Sequence, residues 1–301
     1  MVGLISRLKT KQMVHDCLSI VKRMSTRALR DPEDKVREVR LSYLDGKDNG
    51  IAVLSLNRPE AKNALSKNMV AELLKAVSII HQDEKIRVLI VRSLVPKIFC
   101  AGADLRERFQ MSEDDIRQYI LSLRSFMNDL ELVPAPVISA IDGAALGGGL
   151  ELALATDIRT AVSEAKMGLV ETKWAIIPGA GGTQRLPRVI GPAKAKELIY
   201  TAKIIDANEA KEIGLINQVV PQNKIGDAAY QSALEIARQI LPNGPIGVKM
   251  AKVAISKGIE MPIEGGFQIE KKCYEQLLHT KDRIEGLAAF SAKRIPIYQG
   301  I

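Results

Sequence analysis

Acid–base chemistry in this 301-residue chain has to come from groups other than histidine, because His15, His81 and His279 are the only three and they are dispersed. They are too few for a His-rich metal centre or a Ser-His-Asp set. Cys17, Cys100 and Cys273 are odd in number and far apart, so neither a disulfide framework nor a zinc site is indicated. Cys100 has no His partner and reads as a small buried filler rather than a nucleophile. Carboxylates beside glycines are more telling. Gly143-Ala-Ala-Leu-Gly-Gly-Gly-Leu-Glu151 places a carboxylate just past three consecutive glycines, and Ile177-Pro-Gly-Ala-Gly-Gly-Thr183 is a second glycine-rich stretch.

Phosphate binding fails on spacing. A P-loop needs Gly-Lys-Ser/Thr after its last glycine, and a dinucleotide fingerprint needs a third glycine where Leu152 stands. Gly147–Gly149 suits another use: it ends a loop and starts a helix, so an unpaired backbone N–H there can face a developing negative charge with the helix dipole behind it. Glu151 then falls in the first turn. The same residues also fit a plainer arrangement, in which the glycines allow close helix packing and Glu151 is a solvated carboxylate favoured by the dipole.

The elements that must position these groups follow an α/β pattern. Val36–Leu44 and Ile51–Leu56 flank a stretch of turn formers at 45–50, which predicts a hairpin. Ser66 opens a helix whose apolar residues Met69, Val70, Leu73, Leu74, Val77 and Ile80 recur at helical spacing. Arg87–Ser93 and Val137–Ile141 are short apolar runs on either side of a helix over 112–131, as a sheet buried on both faces requires. A third repetition follows: a glycine-opened helix at 147–155, strands at Ile158–Val162 and Met167–Leu169, and a helix over Gly182–Ile190. From about 226 the pattern is helical throughout, with further segments near 246–257, 263–278 and 281–293. The predicted organisation is a leader over 1–33, an α/β core over 34–226 and a helical module over 227–301.

Composition narrows the class. The net charge of +8 lies at the front, where residues 1–30 carry seven basic side chains and one acid, so the rest of the chain holds about +2. An acid-poor leader with scattered apolar residues and no compact apolar core reads as a mitochondrial targeting peptide, processed between about Met24 and Asp31. No run of 18 uncharged apolar residues exists, so no membrane span is expected.

The motifs Phe99-Cys-Ala-Gly-Ala-Asp-Leu105, Gly143 to Glu151, Met167-Gly-Leu-Val-Glu171 and Ile177 to Leu186, in that order, resemble the enoyl-CoA hydratase/isomerase (crotonase) superfamily. The likeness runs from about 37 to the C-terminus and includes Asn57-Arg58-Pro59 and Lys293-Arg294-Ile-Pro296. It implies a spiral of ββα repeats, trimers or hexamers built by the C-terminal helices, and a matrix enzyme that adds water to 3-methylglutaconyl-CoA or a short-chain enoyl-CoA. No cofactor is implied, since coenzyme A belongs to the substrate. Carried over by position, the oxyanion donors are the N–H groups of Ala103 and Gly148, and the acid/base pair is Glu151 and Glu171. Glu171 exchanges the α-proton and Glu151 orients water. Arg58, Lys62, Ala101, Gly102, Asp104, Leu105, Arg106, Gly179 and Lys293 fall at places that bind substrate or CoA.

Both acidic positions are filled, which in this family favours hydration over isomerisation. One branch is also described as binding AU-rich RNA through a Lys-bearing helix. Its counterpart here keeps Lys62, Lys67 and Lys75 but adds Glu72, Asp83 and Glu84, so any RNA affinity is expected to be weak and salt-sensitive.

Overall fold

The computed structural model describes residues 37–301; the predicted leader and its cleavage site lie outside them. Strands β1 (Val39–Tyr43) and β2 (Ile51–Leu56) form the expected antiparallel hairpin. Helix α1 (Lys67–Gln82), capped by the Ser66 hydroxyl accepting from Met69 N–H, leads to β3 (Val88–Ser93) and β4 (Lys97–Cys100). A short α2 (Leu105–Phe109) and a long α3 (Glu113–Glu131) precede β5 (Val137–Ile141) and β6 (Gly143–Leu146). Helix α4 (Gly148–Leu154), β7 (Ile158–Val162) and β8 (Lys166–Gly168) form the next unit. Helices α5 (Gly182–Ile190) and α6 (Pro192–Tyr200), β9 (Ile205–Asp206), α7 (Ala207–Glu212) and β10 (Gln218–Val220) follow. The chain ends in α8 (Ala228–Ile240), α9 (Pro245–Gly258), α10 (Ile263–Glu275) and α11 (Lys281–Ser291).

Two sheets emerge from this order. One runs β1-β2-β3-β5-β7-β10 and the other β4-β6-β8-β9. Beyond the first hairpin the larger sheet is parallel, as are β4-β6-β8. Each pair of consecutive strands, β3/β4, β5/β6 and β7/β8, therefore gives one strand to each sheet before a helix begins the next turn of the spiral. That is the ββα repeat. Every residue of β2 and β5 is buried, because helices and the second sheet cover both faces.

The smaller sheet brings the functional loops together. Gly149 lies so close to β4 that a Cβ there would sit 2.2 Å from the Cys100 carbonyl oxygen, so glycine alone lets α4 lie against that strand. Asn63 is buried and ties the segment after β2 to the same strand: its amide donates to Ser93 Oγ (2.8 Å) and Phe99 O (3.0 Å) and accepts from Arg58 N–H (2.7 Å). Helix α8 lies on the larger sheet, where Asp142 accepts from Ala229 N–H and Tyr230 N–H at its first turn.

Candidate active site

Two main-chain amides frame one side of a cavity. Leu65 N–H donates to Gly102 O (2.7 Å) and Leu65 O accepts from Asp104 N–H (3.2 Å), which fixes the Ala103 peptide between them. Tyr119 braces the same carbonyl through its hydroxyl at 2.7 Å. Opposite stands Gly147 with φ 52° and ψ −126°, a backbone shape closed to residues with a Cβ, so the chain turns sharply into α4. Its N–H donates to Gly168 O, anchoring the turn to β8. Gly148 becomes the first helical residue, whose N–H has no intrahelical acceptor. Neither it nor Ala103 N–H donates to another backbone group among the described residues. A Cβ built on Gly148 would lie 3.6 Å from Ala103 N, so the two donors are neighbours. Aimed donors of this kind stabilise an oxyanion by ~3–4 kcal/mol each.

Glu151 is 2% exposed, and its Oε1 accepts from Ala180 N–H (2.9 Å) and Gly182 N–H (2.7 Å). Burial raises its pKa, opposed by those two amides and then by the charges of Arg185 and Arg124. The loop at 177–182 thus holds the carboxyl in place and counters part of the upward push of burial. Glu171 follows β8 at the start of a short 3-10 turn, Glu171–Trp174. Its Oε2 is buried with no hydrogen-bond partner. Burial, and then the charge of Glu151, push its carboxyl up to about 7. Both glutamates, Ala103 and Gly148 line one cavity of about 80 Å3. An unsatisfied buried carboxyl oxygen is costly unless a ligand or water completes it. Two carboxyls, one poised near neutrality, beside two free amides can move a proton next to a carbonyl whose oxygen gains charge.

The sequence profile described as enoyl-CoA hydratase/isomerase matches residues 46–300. The chain belongs to the enoyl-CoA hydratase/isomerase family. It is 55% identical over 263 residues to the mitochondrial methylglutaconyl-CoA hydratase of Mus musculus, covering 87% of this chain and 84% of that one. It is 52% identical to the human mitochondrial enoyl-CoA hydratase domain-containing protein 2, with coverages of 87% and 90%. Among solved structures, an enoyl-CoA hydratase from Bacillus anthracis superposes with a TM-score of 0.84 at 48% identity, covering 88% of this chain and all of that one.

Within this hydratase/isomerase site the other expected residues divide. Ala101, Gly102, Leu105 and Gly179 line the cavity with Glu151 and Glu171. Arg58 and Asp104 do not face it: Arg58 NH1 lies 2.7 Å from Asp104 Oδ2, and its Nε lies 2.8 Å from Glu38. Asp104 Oδ1 also caps α2 by accepting from Arg106 and Glu107 N–H. This pair ties the segment after β2 to the loop that carries Ala103. Lys62 and Arg106 are exposed near that loop, the Lys62 carbonyl accepting from Ala101 N–H. Lys293 follows α11 and lies outside the cavity lining.

Other residues of the site carry no motif signal. Tyr119, Ile120 and Leu123 form the cavity's apolar wall on α3, with Ile176 and Ile177 beside them. Helical spacing marks them as a buried stripe and says nothing of substrate. The Ala180 and Gly182 amides that grip Glu151 lie within a glycine-rich stretch whose backbone role the residue types leave open.

Proposed function

We propose that this chain is a hydro-lyase that adds water across the double bond of a 2-enoyl-CoA thioester. The observation that carries the reading is the unpartnered Glu171 Oε2, buried in the cavity that Glu151 and the Ala103 and Gly148 amides also line. The thioester oxygen sits between the two amides and takes enolate charge as water attacks the β-carbon. Glu151, held by two N–H donors, orients that water and accepts its proton. Glu171 delivers a proton to the α-carbon. A single proton is shared by the pair through the cycle.

The acyl group is a short one, 3-methylglutaconyl or a near relative. Support comes from the narrow cavity and from the similarity to the mouse methylglutaconyl-CoA hydratase. Exposed Lys62, Arg106 and Lys293 serve the phosphates of coenzyme A, which arrives with the substrate, so the reaction requires no resident cofactor. The mitochondrial names of the relatives support a matrix location. The apolar faces of α9–α11 support a homotrimer or a pair of trimers. Purified protein should hydrate 3-methylglutaconyl-CoA and, more slowly, crotonyl-CoA, followed by loss of enoyl-thioester absorbance. No turnover with either would overturn the reading.

A further inference from the structure

Arg108 is the one cation among the described residues that line the catalytic cavity. It stands on α2, five residues beyond Ala103, and lines the cavity with Leu105 and Tyr119. Its guanidinium has no hydrogen bond or ion pair among the described residues, and the carboxylates close to it in sequence are committed elsewhere. Asp104 is held by Arg58 and the α2 amides. Glu107 accepts from Lys67 N–H at 3.0 Å.

The other arginines around the site differ. Arg124 donates twice to Gly179 O. Arg185 is shared among Glu131, Asn128 and Ala180 O. Both bond carbonyls of the 177–181 loop, and neither lines the cavity. Arg108 acts instead on Tyr119, while the ionisation of Glu171 is set by burial and Glu151. Arg108 shares the cavity lining with the apolar residues Leu105, Tyr119, Ile120 and Leu123.

Arg108 is a partly buried residue on an otherwise apolar wall, and its unpaired guanidinium leaves a fork of donors free to meet an anion that the ligand brings. We infer that Arg108 is a specificity residue that pairs with a carboxylate carried on the acyl tail, selecting dicarboxylic enoyl-CoA thioesters over neutral ones. The inference rests on the hydratase reading and deepens it. The planar fork of arginine suits a carboxylate, which it can meet with two parallel N–H donors. A CoA phosphate is the other anion such a group could meet, but every substrate would share that contact. Selectivity between two acyl groups on the same carrier separates the two.

The experiment measures kcat/KM of the full chain for 3-methylglutaconyl-CoA and crotonyl-CoA, in the parent and in Arg108→Gln and Arg108→Lys, with circular dichroism on each. The parent should prefer the dicarboxylic substrate. In Arg108→Gln the ratio of the two constants should fall by about 30-fold or more, the loss expected for a desolvated charged hydrogen bond. Arg108→Lys should recover part of the ratio. An unchanged ratio, with both substrates slowed alike, assigns the residue to the carrier or to structure and overturns the inference while leaving the hydratase reading intact. A parent enzyme that hydrates neither thioester overturns both.

Discussion

At the scale of single residues, Glu171 meets burial and the charge of Glu151 at once, and its carboxyl titrates near 7. The folded chain then holds a proton that the unfolded chain releases between about 4.5 and 7. The group's contribution to stability is full below 4.5 and is lost as pH rises through 7. Glu171→Gln removes that liability. It should exceed the parent in stability at alkaline pH by about 1–2 kcal/mol after allowance for solvent screening, a rise of roughly 2–6 °C in Tm. Thermal melts across the titration range should show the gap closing towards acid; a gap that widens there would contradict the assignment. The same group sets the pH dependence of turnover. The active pair carries one proton, so kcat/KM should fall as that proton leaves near pH 7. Hydration and dehydration should fall together, because adding water exchanges no net protons. Residue types pointed to Glu151 and to an unpaired amide within Gly147–Gly149 but left a plain packing role open, while the choice of Gly148, like Glu171 and Ala103, came only through family resemblance. The grip of Ala180 and Gly182 on Glu151 spans 29 and 31 residues, a distance at which residue types carry no register.

At the scale of elements, long periodic segments were readable and short ones were not. The Ser66-capped α1 and the apolar strands β3, β5 and β7 followed from spacing that burial imposes, and α3 was anticipated as a helix over 112–131. Of the smaller sheet only β8 was anticipated, as the short strand at Met167–Leu169; β4, β6 and β9 have two to four residues each, too few to display alternation, so the second sheet as such was visible only as an implication of the family. Arg58 was assigned by position to CoA, yet the structure commits it to Asp104 and Glu38, a pairing over 46 residues that the motif alone does not reveal. Gly149 tests the contact on which the site depends. Gly149→Ala places a Cβ 2.2 Å from the Cys100 carbonyl oxygen, so α4 must move away from β4. Stability should drop by about 1–3 kcal/mol. Because Gly148 moves with the helix, kcat should drop while KM changes less, and Michaelis analysis beside denaturant melts checks both. An alanine variant with parental kcat would show that α4 does not set the position of the amide.

At the scale of the whole molecule, the first helix of the C-terminal run and the last three behave differently. Helix α8 buries Ala229, Ala233, Leu234 and Ala237 against the larger sheet. Helices α9–α11 leave Ile255, Ile259, Ile263, Phe267, Ile284, Leu287 and Phe290 each more than half exposed. Exposed apolar side chains of this size on successive helices are what a subunit interface offers. Sedimentation equilibrium should return three or six times the chain mass, and Phe267→Glu combined with Leu287→Glu should yield smaller species; a parent that sediments as a monomer would refute the assembly. The body surrounding this surface is nearly neutral. Lys67, on the helix that would meet RNA, already pairs with Asp115. AU-rich RNA should therefore bind weakly and lose affinity steeply with salt, which a fluorescence titration measures.

The central claim is that Glu151 and Glu171 act together on a thioester held by two main-chain amides. Its most direct test is steady-state hydration by Glu151→Gln and Glu171→Gln, each shown by circular dichroism to keep the parental fold. The account predicts that kcat falls by roughly 10²–10⁴-fold in either variant, with the substrate still bound. Parental turnover from either folded variant would contradict it.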